Sequence, residues 1–137
     1  MKVQIPYTPR PLQAELHKNL DQYRFAVLSC HRRFGKSVAI INHLIRAALT
    51  HKMKNPRFAY IAPTYKQAKS IAWDYMKMFA GGIPGVKFNE TELRCDMPNG
   101  SRITLLSSEQ PDSLRGLFLD GVCIDEVAQI DPRLWNE

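Results

Sequence analysis

Phe25-Ala26-Val27-Leu28-Ser29-Cys30-His31-Arg32-Arg33-Phe34-Gly35-Lys36-Ser37 is the stretch that decides the fold. Its first half, FAVLSC, is an apolar run that reads as a buried strand. Its second half ends in Gly35-Lys36-Ser37, and a helical pattern follows at once: Val38, Ile41, Leu44, Ile45, Ala48, Leu49. Strand, tight loop, then GKS opening a helix is the context of a phosphate-binding P-loop. The reason is local: N–H groups of a first helical turn lack intrahelical partners and point at an anion. Lys36 would add a point charge for the β/γ-phosphates, and Ser37 a hydroxyl for Mg²⁺. One position departs from the full pattern, which places glycine five residues before Gly35, where this chain has Cys30.

The 137 residues are one domain's worth of chain, with 45% hydrophobic and 23% charged residues, the balance of a globular protein. No run approaches the roughly 18 apolar residues of a membrane span. The N-terminus, MKVQIPYTPRPLQ, has no apolar signal-peptide core, so an intracellular location without a membrane partner is expected. Cys30, Cys95 and Cys123 are odd in number and lack CxxC spacing, so they read as small buried hydrophobes. The net charge of +6 is uneven: residues 1–69 carry 13 Lys/Arg against Glu15 and Asp21, whereas residues 70–137 carry 6 against 11 Asp/Glu. A basic half is compatible with a polyanion, and equally with solvated helix faces and the cations of a nucleotide pocket.

Along the chain, Pro11 opens a short helix with Leu12, Leu16 and Leu20, and Gln13 near its start. A helix over about 36–51 follows. Phe58–Ala62 reads as a strand, and a helix over about 65–79 carries the stripe Ala68, Ile71, Ala72, Tyr75, Met76, Phe79. Val86–Phe88, Leu93–Met97 and Arg102–Leu106 read as strands, the last two joined by the turn Pro98-Asn99-Gly100-Ser101. Residues 107–120 look irregular, and Val122-Cys123-Ile124 is a further strand. The order predicts an α/β fold with a mainly parallel central sheet flanked by helices, plus a β-hairpin. The site would lie at the carboxyl ends of the strands.

GVCIDE has the form of a Walker B strand, delivering Asp125 to the strand end, where it could hold Mg²⁺. Glu126 could polarise water for attack on a γ-phosphate. Paired acids at a strand end also serve as helix caps, but GKS after one strand and DE after another, about 90 residues on, is what Mg-ATP hydrolysis requires. Arg32 and Arg33 lie inside the loop, within reach of phosphates, and Arg115 lies shortly before the Walker B strand.

YTPRPLQ, CHRRFGKS, YIAPTYKQAK, MPNGSRITLLSS, SLRGLFLD and GVCIDEVAQI together resemble the N-terminal ATPase part of the large terminase subunit of tailed double-stranded DNA bacteriophages, the genome-packaging motor. An arginine-bearing P-loop without its first glycine is typical of that family. The resemblance implies a P-loop ATPase of the ASCE type, with an extra strand between the two Walker strands, a place that Phe58–Ala62 would fill. It implies ATP and Mg²⁺ as ligands. Gln13 would read adenine; Arg32, Arg33, Gly35, Lys36 and Ser37 would bind phosphates; Ser37 and Asp125 would hold the metal; Glu126, Arg32 and Arg115 would be catalytic, Arg115 either within its own subunit or, as proposed for some members of the family, in trans on a neighbouring one. The implied partners are double-stranded DNA, further copies in a ring on the prohead portal, and the small terminase subunit, at the assembling prohead in the host cytoplasm. Residues 1–137 would correspond to the first part of the ATPase domain, incomplete at its C-terminus, with the family's nuclease segment not represented. Two other readings stay open on the residues alone: a superfamily 2 helicase-like ATPase, and a non-catalytic fragment that binds nucleotide or DNA.

Overall fold

The computed structural model describes residues 5–23, 25–27, 35–51, 54–109 and 119–126. Helix α1 (Pro11–Gln22) begins on a proline, which is tolerated where the N–H has no helical partner, and α2 (Lys36–Thr50) follows Gly35 directly. Strand β1 (Arg57–Ala62) leads into a continuous helical segment made of α3 (Tyr65–Gln67), a π-helical turn (Ala68–Ala72) and α4 (Trp73–Ala80). Then come β2 (Lys87–Asn89), β3 (Arg94–Asp96), β4 (Arg102–Ser107) and β5 (Gly121–Ile124).

The five strands form one sheet in the order β2-β3-β4-β1-β5. β1 is parallel to both β4 and β5, while β2–β3 and β3–β4 pair antiparallel, so four strands share one direction and β3 opposes them. The expected mainly parallel sheet with a hairpin is therefore present. β1 is buried from Phe58 to Ala62, as a parallel strand covered on both faces should be. α2 packs against α4, β1 and β4, and its buried Ile41, Leu44, Ile45 and Ala48 meet Trp73, Met76 and Ile103 in one core.

Two local features set this packing. The hairpin turn is closed by Met97 N–H donating to Ser101 C=O (2.8 Å), and Gly100 takes a φ of 90° there. The same turn caps α2: Ser101 Oγ and Asn99 Nδ2 donate to the Ala48 carbonyl at 2.5 and 2.9 Å. Carbonyls of a last helical turn need such outside donors. In the π turn, Trp73 N–H donates to the Ala68 carbonyl five residues back. The wider turn moves the buried line from the predicted Ile71, which is 49% exposed, to Trp73, which is 2% exposed.

Two strand expectations are corrected. Phe25–Val27 belong to no strand, and Phe25 and Val27 are 83% and 99% exposed rather than buried. An apolar run is a strand only where its backbone joins a ladder, and the described sheet of β1 to β5 does not include these three residues. Residues 28–30 of the expected strand lie outside the described residues. Phe58–Ala62 does not fill the place between the loop strand and the Walker B strand, because a strand has two edges and those of β1 are taken by β4 and β5.

Candidate functional site

Gly35 takes a φ of 80°, a left-handed conformation open to glycine at little cost. A Cβ there would stand 2.4 Å from Arg10 Nη2 and 2.5 Å from Gln13 Nε2, so close approach demands glycine as well. Gln13 is 3% exposed; its Oε1 accepts from the Arg10 N–H at 2.9 Å and its Nε2 donates to the Gly35 carbonyl at 3.0 Å. The start of α1 is thereby stitched to the start of α2. Taken alone, Gln13 reads as an exposed helix residue; burial between two helices overrides that. Among the described residues these bonds use one N–H and one lone pair of the amide.

α2 opens with Lys36 and Ser37 and has neither a side-chain cap nor an acidic residue in its first turn. The positive end of its dipole is therefore not offset by a carboxylate of the helix itself. Across from it, the Asp125 N–H donates to the Ile61 carbonyl at 2.9 Å, continuing the β1–β5 ladder one step past β5. This brings the acids to the lysine. Lys36 Nζ lies 3.1 Å from Asp125 Oδ1 and 3.9 Å from Glu126 Oε1. Ser37 Oγ donates to Asp125 Oδ2 at 3.5 Å, and the Tyr60 hydroxyl donates to the same oxygen. Glu126 N–H donates to Asp125 Oδ1 at 2.9 Å, with Glu126 at a φ of 51°, uncommon for a residue with a side chain.

The side chains of Asp125 and Glu126 are 14% and 49% exposed, so one is sheltered and the other faces solvent. Burial first, then the hydrogen bond and charge of Asp125, push the Tyr60 phenol far above its ordinary range, while Ser37 acts the other way. Burial, with the Asp125 charge, pushes the Cys123 thiol up to about 12. Both groups are neutral at physiological pH. The oxygen donors of Ser37 and Asp125 form a hard set that suits Mg²⁺, which takes one or two carboxylates and completes its shell with phosphate and water. Among the described residues no cluster of three His, Cys, Asp or Glu is built for a softer metal, and Cys95 and Cys123 are free thiols. Arg32, Arg33, Arg115 and Cys30 lie outside the described residues.

Sequence reasoning missed Tyr60, although it is the one hydroxyl in the apolar strand RFAYIA. It also missed a polar seam between α1 and α2. His17 Nε2 shares a hydrogen bond with the Tyr7 hydroxyl (2.8 Å), and His17 Nδ1 lies 3.0 Å from His43 Nδ1 in a near-parallel stack. Arg46 donates to both carboxylate oxygens of Asp21 at 2.7 and 2.8 Å alongside. Burial, then His17 and Arg46, push His43 down to about 4, Asp21 opposing; burial and Arg46 lower His17 too. A folded-state pKa below the unfolded value means the unfolded chain binds more protons, so stability is full above about pH 6.5 and falls toward pH 4. We expect urea melts to show a loss on the order of 1–2 kcal/mol between pH 7 and pH 5. His43→Gln should flatten that slope; an unchanged slope would rule the seam out as its source.

The terminase large subunit N-terminal family, T4likevirus-type, matches residues 29–133. The chain is 28% identical to the large terminase subunit of Thermus virus P23-45 and 27% identical to that of Thermus phage G20c. Each alignment covers 96% of this chain and 30% of the relative. Among solved structures, the large terminase ATPase domain of Thermus phage P74-26 matches with a TM-score of 0.68 and 26% identity, over 96% of this chain and 58% of that one. The chain thus spans under a third of the length of these two relatives.

Proposed function

The chain belongs to the large terminase subunit family, and we propose that it is an Mg-ATP-hydrolysing P-loop ATPase of the ASCE type that serves a phage DNA-packaging motor. The observation that carries this reading is the meeting of Lys36 and Ser37 with Asp125 and Glu126. Residues nearly 90 positions apart place a cation, a hydroxyl and two carboxylates around one point at the carboxyl ends of β1 and β5. The same reading takes residues 1–137 as the first part of the ATPase domain.

The following roles are proposed for these residues. Phosphates seated on the N-terminus of α2 draw Lys36 Nζ away from Asp125 and Glu126. The Asp125 carboxylate and Ser37 Oγ are then free to hold Mg²⁺, which supplies charge neutralisation at the β- and γ-phosphates. Glu126, once released from Lys36, accepts a proton from the attacking water as its oxygen bonds to the γ-phosphorus and the bond to the β–γ bridging oxygen breaks. Arg32 and Arg33 in the loop, and Arg115 from this or a neighbouring subunit, are proposed to stabilise the transferring phosphoryl group. Gln13 would read adenine with the amide positions left after its bonds to Arg10 and Gly35.

Translocation of double-stranded DNA into the prohead, in a ring on the portal and with the small subunit, is part of the proposal. Lys18, Lys54, Lys66 and Lys69 are exposed in the basic half and available to backbone phosphates. The test is ATP turnover with and without double-stranded DNA over a salt series. We expect DNA to stimulate turnover, with a steep loss as salt rises. Turnover indifferent to DNA at low salt would contradict the motor reading.

A further inference from the structure

The Tyr60 hydroxyl is buried in the sheet, and it donates to the acid at the heart of the site. Tyr60 pairs with Cys123 in the β1–β5 register, so Asp125 stands diagonally across from it, two residues further on the same face. A diagonal neighbour is within reach of an aromatic side chain. Tyr60 is 3% exposed, and a buried phenol needs an acceptor. Phenylalanine would fill the same space in this otherwise apolar strand, so the hydroxyl is not explained by packing.

Among the described residues Asp125 has four donors: Lys36 and the Glu126 N–H on Oδ1, Ser37 and Tyr60 on Oδ2. On the proposed function, Lys36 and Ser37 turn to phosphate and metal when Mg-ATP binds. Of these four, the Glu126 N–H and the Tyr60 hydroxyl are left. One is fixed by the backbone past β5 and one by the core of β1.

We propose that Tyr60 is a positioning residue for the metal-binding acid, tying Asp125 Oδ2 to the sheet so that Oδ1 is presented to Mg²⁺ in a fixed orientation. This rests on the Mg-ATP reading of the site. Partners of metal-binding groups of this kind are worth about 10–100-fold in metal affinity.

The test is equilibrium binding of a fluorescent, non-hydrolysable ATP analogue during Mg²⁺ titration, which reads the metal without turnover. Tyr60→Phe should raise the Mg²⁺ concentration at half-saturation about 10-fold, while analogue binding in EDTA stays within about 2-fold of wild type. In an Asp125→Asn background, Tyr60→Phe should add nothing, because the acceptor it acts through has changed. An unaltered Mg²⁺ dependence in Tyr60→Phe, or an equal shift in both backgrounds, would overturn the proposal. Failure of the underlying reading looks different: Asp125→Asn alone would then leave the Mg²⁺ dependence untouched. A second measurement needs no substitution at Tyr60. With tyrosine labelled at Cζ, the Tyr60 resonance should move when Mg²⁺ and the analogue bind to wild type, and stay put in Asp125→Asn. A Tyr60 resonance indifferent to Mg²⁺ in wild type would equally overturn it.

Discussion

Glu126→Gln is expected to lower ATP turnover by roughly 10²–10⁴-fold while leaving ATP affinity within about threefold of wild type. The substitution keeps the shape of the side chain and removes its capacity to take a proton. The backbone bond from Glu126 N–H to Asp125 Oδ1 does not depend on the side chain, so the local turn persists. The positive φ at Glu126 costs Gln much as it costs Glu. Loss of the 3.9 Å contact with Lys36 removes one weak tie, and the 3.1 Å Lys36–Asp125 pair remains. Binding and turnover should therefore separate. Single-turnover hydrolysis beside an equilibrium ATP titration reads both quantities. Turnover preserved in Glu126→Gln would remove Glu126 from the chemistry.

Lys36→Ala has the next largest expected effect, a 30–100-fold loss of ATP affinity, about 2–2.7 kcal/mol. Two opposing terms set that size. The ammonium gains the phosphates when nucleotide binds, but gives up Asp125, and only the difference appears as affinity. The variant also removes the Lys36 ammonium 3.1 Å from Asp125 before nucleotide arrives, so its nucleotide-free form should melt at lower temperature. ATP affinity equal to that of wild type would sink the phosphate role of Lys36.

The helices and the hairpin were legible because each rests on local signals: the apolar period over 36–51, Pro11 at a first turn, Asn99-Gly100 between strands. Lys36, Ser37, Asp125 and Glu126 were legible as candidates because a loop before a helix and acids after a strand carry their chemistry in adjacent residues. Strand order was not, since nothing local says that β4 returns parallel to β1 and takes the edge on which the extra-strand reading of Phe58–Ala62 depended. Nor was the burial of Gln13, His17 and Tyr60. Each is a polar residue whose partner sits on another element, Gly35, His43 and Asp125 respectively, and register alone creates the pair. The shift of the buried line to Trp73 had the same origin: the π turn changes the helical period that the stripe reading assumed. The apolar run at Phe25–Val27 shows the converse, a local strand signal in residues that stand exposed outside the described sheet.

The central claim is that the lysine end of α2 and the acid end of β5 make one Mg-ATP site. The most direct test is a calorimetric titration of ATP into wild type and Asp125→Asn, each in Mg²⁺ and in EDTA. We predict one ATP per chain, with wild-type affinity falling by about 10-fold or more when Mg²⁺ is withdrawn, and Asp125→Asn binding equally weakly in both conditions. Asp125→Asn that retained the full wild-type response to Mg²⁺ would contradict the account.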